Sequence, residues 1–282
     1  MTWHVDVSAS DAGMLVYGGV GPGSRQLVWL DRSTYAQTGV AVDGLSRLFL
    51  VRLSPRGDRM VFQKDPEGRD ISVYDLRNKT TVMSVPRLHS NLFPAWSPDG
   101  KWIAYGSSRD GQFQIYRMSA DGNGKERKLL SDTQRIMPAD WNGSNLLYFR
   151  GGLGNEFECW VLSLENGRKR RVLESADDCR FSPDGQWLAY AAHEGPPSST
   201  SPGPLQIYVM NFTSGRGKYK VSEKSGIGTT MEPGWERTLL PRAKHPVSCA
   251  SGGQFFQRRS AFSRIRQKQA QHTGGTCLRS VS

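Results

Sequence analysis

The chain has 282 residues, with 37 Lys and Arg against 26 Asp and Glu, for a net charge of +11 at pH 7. No apolar run approaches the roughly 18 consecutive residues of a membrane-spanning helix, and no basic segment followed by an apolar one opens the chain. Neither a transmembrane helix nor a leader is therefore expected, and the charge must be placed before it is interpreted.

From the start, Val5 to Tyr17 and Gln26 to Asp31 read as alternating strands, with Ser10-Asp11-Ala12-Gly13 as a turn. Between them lies Gly18-Gly19-Val20-Gly21-Pro22-Gly23, which imitates a phosphate cradle. No helical pattern and no Lys-Ser/Thr pair follow it, so it is read as a hairpin loop. Leu48 to Leu76 repeats the arrangement, with Ser54-Pro55-Arg56-Gly57 as the turn and Ile71 to Leu76 as a third strand.

The clearest copy runs from Phe93 to Asp132. A short strand ends at Trp96, Ser97-Pro98-Asp99-Gly100 turns, and Lys101 to Ser107 alternates. Ser108-Arg109-Asp110-Gly111 turns again, Gln114 to Ser119 alternates, and Arg127 to Leu130 is an edge strand. In each turn Asp can bond nearby backbone and Gly accepts positive φ. A fourth copy spans Met137 to Val172, where Asp140-Trp141-Asn142-Gly143 replaces the usual turn wording. A fifth has Arg180 to Gly185, Trp187 to Ala191 and Leu205 to Met210, interrupted by the loop Glu194 to Pro204. Met231 to Trp235 opens a sixth copy that then loses its pattern.

Leu53, Trp96, Trp141 and Phe181 are equivalent and stand 43, 45 and 40 residues apart, matching the roughly 40–45 residues of a four-stranded blade. Both faces of the long strands are apolar, so each sheet needs a neighbour on each side, which is the logic of a β-propeller. The fold class expected is all-β: a propeller of four-stranded antiparallel blades over residues 1–236, with blades near 5–45, 46–88, 89–133, 134–174 and 175–228, a degenerate sixth, and a disordered basic tail over 237–282.

The wording of the third copy, from Pro94-Ala95-Trp96-Ser97-Pro98-Asp99-Gly100 to Ile115-Tyr116-Arg117-Met118, resembles the WD-like repeat of the TolB-type β-propellers. The opening wording, Val7 to Gly19 followed by Gln26 to Ser33, further resembles the propeller behind the kinase domain of certain bacterial serine/threonine protein kinases. The first resemblance implies a six-bladed ring, and a periplasmic location if the chain follows TolB; the missing leader alone points to the cytoplasm. Such propellers serve as partner-binding modules, sensors and peptidase lids, so the resemblance implies no single activity.

The last acidic residue is Glu236, and nine Lys or Arg follow it. The propeller region is therefore nearly neutral, and nine of the eleven net charges lie in the tail. Three readings of the tail stay open: an arm for nucleic acid or an anionic membrane, a solvated tail without partner, and a shifted coding frame beyond Trp235. Nucleic acid is not expected as the partner of the propeller itself.

No catalytic set is present. There is no G-x-S-x-G elbow, no His-Arg-Asp loop, no Asp-Phe-Gly and no Gly-rich loop leading to a strand Lys, so no enzyme activity and no cofactor are expected. The five His residues show no ligand spacing, so no metal is expected. Cys159 and Cys179 alternate with apolar residues and read as reduced core thiols. Arg56-Gly57-Asp58 occupies a turn, so its integrin spelling is coincidence.

A propeller's site lies where the segments leading into each inner strand crowd one mouth of the central channel. These are Ser46-Arg47, His89-Ser90-Asn91, Gln134-Arg135 and Asp177-Asp178. Arg47, His89, Arg135, Asp177 and Asp178 are the candidate binding residues, with the two Arg as bidentate donors to a peptide or a carboxylate-bearing ligand. The expected function is a non-catalytic binding or sensor module for a protein or peptide, possibly detached from a kinase; the alternative is the regulatory propeller of a hydrolase whose catalytic domain is missing. Self-association through unpaired blade faces is also expected.

Translating the gene in its other two frames beyond Trp235 checks the shifted-frame reading. It predicts a DG turn followed by an alternating strand in one of them, and finding neither would remove it.

Overall fold

A computed structural model of the chain describes residues 7–9, 15–21, 24–30, 37–42, 48–64, 70–85, 88–151, 157–194 and 203–221. These residues form strands and turns, with no helix among them, and the strands pair into five four-stranded antiparallel sheets. Sheet 1 contains β1 (Val7–Ala9), β2 (Leu15–Gly21), β3 (Ser24–Leu30) and β4 (Gln37–Val42). Sheet 2 contains β5 (Leu48–Leu53), β6 (Arg59–Lys64), β7 (Asp70–Asp75) and β8 (Thr80–Ser84). Sheet 3 contains β9 (Asn91–Trp96), β10 (Trp102–Asp110), β11 (Gln112–Ser119) and β12 (Arg127–Leu130). Sheet 4 contains β13 (Arg135–Asn142), β14 (Asn145–Gly151), β15 (Glu158–Ser163) and β16 (Lys169–Leu173). Sheet 5 contains β17 (Asp178–Phe181), β18 (Trp187–His193), β19 (Leu205–Asn211) and β20 (Tyr219–Lys220).

Within every sheet the strands follow chain order, so each sheet is a simple meander. The first strands of successive sheets lie against one another, β1 with β5, β5 with β9, β9 with β13 and β13 with β17. This is the blade arrangement of a β-propeller. Sheets 2 to 5 are described through most of their side chains, and sheet 1 chiefly by its strand pairing. The degenerate sixth copy from Met231 and the tail 237–282 lie outside the described residues.

Period-two alternation sends successive side chains of one strand into two different cores. In β10, Ile103 and Tyr105 pack toward sheet 2 with Val61, Val73 and Met83, whereas Ala104 packs toward sheet 4 with Ile136 and Leu146. In β14, Leu146 and Tyr148 join the core with sheet 3, while Leu147 and Phe149 join the core with sheet 5. Sheets 1 and 2 share a core through Leu27, Val42, Leu48 and Met60. Burying an aliphatic or aromatic side chain of this size stabilises the fold by about 2 kcal/mol, so interfaces between sheets supply most of the stability. Cys159 and Cys179 are free and buried in the core between sheets 4 and 5. Burial, and then the neighbouring Cys159, push the Cys179 thiol well above its ordinary range.

The recurring turn wording has a specific cause. Ser97 accepts at its carbonyl from Gly100 N (2.9 Å), while its Oγ accepts from Trp102 N (2.9 Å) and donates to Asp99 Oδ1 (2.6 Å). Gly100 holds φ of 70°, which a residue with a Cβ adopts only at a cost. Ser182 repeats the carbonyl bond to Gly185 (2.8 Å) and the Oγ bond to Trp187 N (2.9 Å). In sheet 2, Asp58 takes the place of the missing turn aspartate, accepting from Ser54 Oγ at 2.9 Å.

Three expected turns are shorter than their wording suggests. Gly18 to Gly21 belong to β2, which pairs as far as Gly21 with Ser24. The stretch from Ser108 to Asp110 stays in β10 past a bulge, and Gly111, at φ of 86°, makes the tight turn. Asp140, Trp141 and Asn142 are strand residues of β13, and the turn is Gly143 with Ser144.

Side chains also tie the sheets together by hydrogen bonds. Trp96 Nε1 donates to Arg52 O across sheets 2 and 3 at 3.0 Å. Asn142 Nδ2 donates to Ser182 O and Pro183 O across sheets 4 and 5, each at 3.1 Å. Trp96→Phe should therefore lower unfolding stability by about 1–2 kcal/mol, against about 0.5 kcal/mol or less for the more exposed Trp102→Phe. Urea denaturation of the two variants checks this order.

Candidate functional site

One register position recurs on the innermost strand of every sheet. Ser8 pairs with Val16, Arg52 with Val61, Ala95 with Ala104, Asp140 with Leu147 and Arg180 with Ala189, each time opposite the second residue of an equivalent run. In sheets 2 to 5 each of these residues directly precedes the core position of Leu53, Trp96, Trp141 or Phe181, so it points to the opposite face of its strand. The propeller thus carries a layer of equivalent positions along its inner strands, and three of them are charged: Arg52, Asp140 and Arg180.

The backbone just upstream is irregular. Bulges interrupt the pairing of β5 between Phe49 and Arg52, of β9 between Leu92 and Ala95, and of β13 between Pro138 and Asp140. Leu50 and Phe93 stand two residues before Arg52 and Ala95 and have φ of 49° and 56°. Left-handed backbone costs a residue with a Cβ about 1–2 kcal/mol, so it persists only where the surroundings enforce it. At Phe93 the cause is visible, because its N–H donates to Gln63 Oε1 of the neighbouring sheet at 3.1 Å.

Asp140 is the centre of the layer. Its Oδ2 accepts from Phe181 N of sheet 5 at 2.8 Å, and its Oδ1 from Trp141 N at 2.9 Å. The residue is only partly buried, yet its carboxyl is enclosed by protein. Desolvation pushes its pKa up to about 6, against the two amide bonds and the nearby Arg52, which favour the charged form, and with Asp178 adding to the rise. Arg180 pairs with Asp178 at 3.2 Å and donates through Nη1 to Ala139 O and to Cys179 O. Arg52 donates Nη1 to Val51 O at 3.1 Å. Among the described residues, no group of three or more His, Cys, Asp and Glu is placed to hold a metal ion.

The five residues picked from the sequence are dispersed. Arg47 lies outside the described residues. His89 is exposed in the turn before β9, where its carbonyl accepts from Asn91 Nδ2 at 3.1 Å. Arg135 opens β13 with its guanidinium 4.7 Å from the centre of the Phe157 ring. Asp177 and Asp178 diverge: Asp177 faces His193 Nε2 at 3.3 Å, whereas Asp178 turns to Arg180. Only Asp178 joins the charged layer. Arg52, Asp140 and Arg180 were missed, although the position before each equivalent aromatic or leucine would have found them.

Comparison with known proteins agrees with this architecture. Residues 49–237 match the TolB beta propeller domain family. An uncharacterized protein of Agrobacterium fabrum, Atu1656, is 27% identical over 193 residues, 65% of this chain and 64% of that protein. The uncharacterized peptidase YuxL of Bacillus subtilis is 27% identical over 192 residues, 52% of this chain but 28% of the peptidase. The chain thus spans less than two thirds of either relative. Among solved structures, a putative TolB from Agrobacterium tumefaciens superposes with a TM-score of 0.64 at 20% identity, over 81% of this chain and 84% of that one. TolB from Acinetobacter baumannii gives 0.63 at 21% identity, over 78% and 54%.

The raised pKa of Asp140 fixes a sign. Its folded value of about 6 exceeds the ordinary value of about 4, so its contribution to stability is fully present below about pH 4 and is lost as pH rises through about 6. Asp140→Asn removes the charge, and its single carbonyl oxygen keeps one of the two acceptor bonds while its amide group faces the other N–H. The variant should gain on the parent across that window, by up to about 3 kcal/mol. Thermal melts of both proteins from about pH 4 to 8 check the difference.

Proposed function

We propose, for a chain that belongs to the TolB β-propeller domain family, that it is a non-catalytic binding module taking a protein or peptide partner at the axis of the propeller. The observation carrying this reading is the charged inner layer. Arg52, Asp140 and Arg180 occupy one equivalent register position on three inner strands, and Leu50, two residues before Arg52, is held in a costly conformation. Charge set on rigid strands beside strained backbone is an arrangement for recognition, since packing alone favours an apolar residue there, as at Ala95. Arg47, His89 and Arg135 belong to the proposal as residues of the mouth leading to this layer.

A second reading is favoured by the match to YuxL: a propeller that regulates access to a peptidase domain outside this chain. The kinase-attached version rests on the opening wording of the chain alone. A hydrolase or kinase reading frame joined to this one separates the two.

Selection of peptides by display on the purified chain tests the binding reading. Selected peptides should lose about tenfold or more in affinity for the double variant Arg52→Ala, Arg135→Ala, measured by calorimetry. Peptides that bind this variant as well as the parent would contradict it.

A further inference from the structure

The chemistry of the inner layer narrows what it can hold. This inference rests on the binding reading above and adds the class of group recognised. Arg180 is compensated by Asp178, which is itself buried and sits 3.2 Å from it. Arg52 differs: among the described residues its guanidinium donates from Nη1 to the backbone carbonyl of Val51 and makes no ion pair. A guanidinium carries five N–H donors in a planar fork, and among the described residues one nitrogen of Arg52 is engaged. Arg52 and Asp178 both act on the charge of Asp140, and Arg180 pairs with Asp178, which links these four groups of β5, β13 and β17.

With Asp140 ionised the four groups sum to zero, and with Asp140 protonated to a single positive charge. A site of zero to one positive charge matches a monoanion and leaves a phosphate dianion undercompensated. A carboxylate also fits the planar fork in bidentate fashion. We propose that the inner layer is a carboxylate site, in which Arg52, assisted by Arg180, receives an acidic side chain of an extended peptide, and that ionised Asp140 acts as its electrostatic competitor. Affinity then rises as pH falls and Asp140 takes up a proton, and Asn at that position fixes the site in its receptive state.

The probe is hexaglutamate, with hexaglutamine as the uncharged control, titrated calorimetrically into the full chain at about pH 7.5 and about pH 5.5, where the glutamates remain largely ionised. Hexaglutamate should bind more tightly than hexaglutamine, and several-fold more tightly at the lower pH. Asp140→Asn should bind at about pH 7.5 as the parent does at the lower pH. Arg52→Gln should weaken binding about tenfold, and Arg52→Lys, which keeps the charge but not the fork, should fall between. Melting curves of each variant show that it is folded.

Hexaglutamate binding that survives Arg52→Gln would belong to the basic segment beyond Glu236 and would overturn the proposal. So would equal binding of hexaglutamine, or a pH dependence unchanged in Asp140→Asn. If hexaglutamate fails while display-selected neutral peptides still lose affinity in the double Arg variant, the carboxylate assignment falls and the binding module stands. If both fail, both readings fall.

Discussion

A sheet with two apolar faces cannot stand alone in water, and this constraint decides the architecture. Ile103 and Tyr105 need a core on one side of sheet 3 while Ala104 needs one on the other. Leu146 and Leu147 make the same demand of sheet 4. A meander four strands wide can meet both demands only by being sandwiched between like sheets, and the pleat ensures that each residue serves one interface. The hydrophobic effect is non-directional, so direction comes from hydrogen bonds placed where the sheets converge. The Trp96 indole on Arg52 O, the Gln63 amide on Phe93 N and the Asp140 carboxyl on Phe181 N each join one inner strand to an adjacent sheet.

Those same bonds connect stability to function. Arg52 and Asp140 lend a carbonyl and a carboxyl to the joints between sheets, while the remaining polar capacity of both residues lies in the charged layer. The layer costs stability: a carboxyl held with a pKa of about 6 is a group the fold would rather keep neutral. Leu50 and Phe93 add backbone strain beside it. An apolar residue, as at Ala95, satisfies packing there without the cost of an enclosed charge, and this is the argument for a role of the charges in recognition. Fold similarity by itself does not reach this far, since propellers of one family serve as adaptors and as parts of enzymes.

Much of the fold was legible in the chain because its signals are local. Alternation in Lys101 to Ser107 and Gln114 to Ser119, and the Ser-Pro-Asp-Gly turns, follow from bonds within a few residues, as the Ser97 and Ser182 turns show. Even the edge strand Arg127–Leu130 was visible. What failed was judging where turns begin, because Gly18 to Gly21 keep pairing across their hairpin as far as Ser24, and Asp110 pairs with Gln112 beyond a bulge. The site was less legible. Charged linker residues such as Asp177 invite attention, yet Asp177 is engaged with His193 of its own sheet. Asp140 was hidden inside what read as a replaced turn, and Arg52 and Arg180 in the variable position before the aromatic. Their significance depends on inner strands about 40–45 residues apart being brought side by side.

The central claim is that Arg52 of sheet 2 and Asp140 of sheet 4 face a common axis and feel each other's charge. An NMR titration following the Asp140 carboxyl carbon tests it most directly, in the parent protein and in Arg52→Gln. The account predicts a midpoint near 6 in the parent and a higher one when the guanidinium is removed. An ordinary carboxylate midpoint, or one that ignores the loss of Arg52, would contradict it.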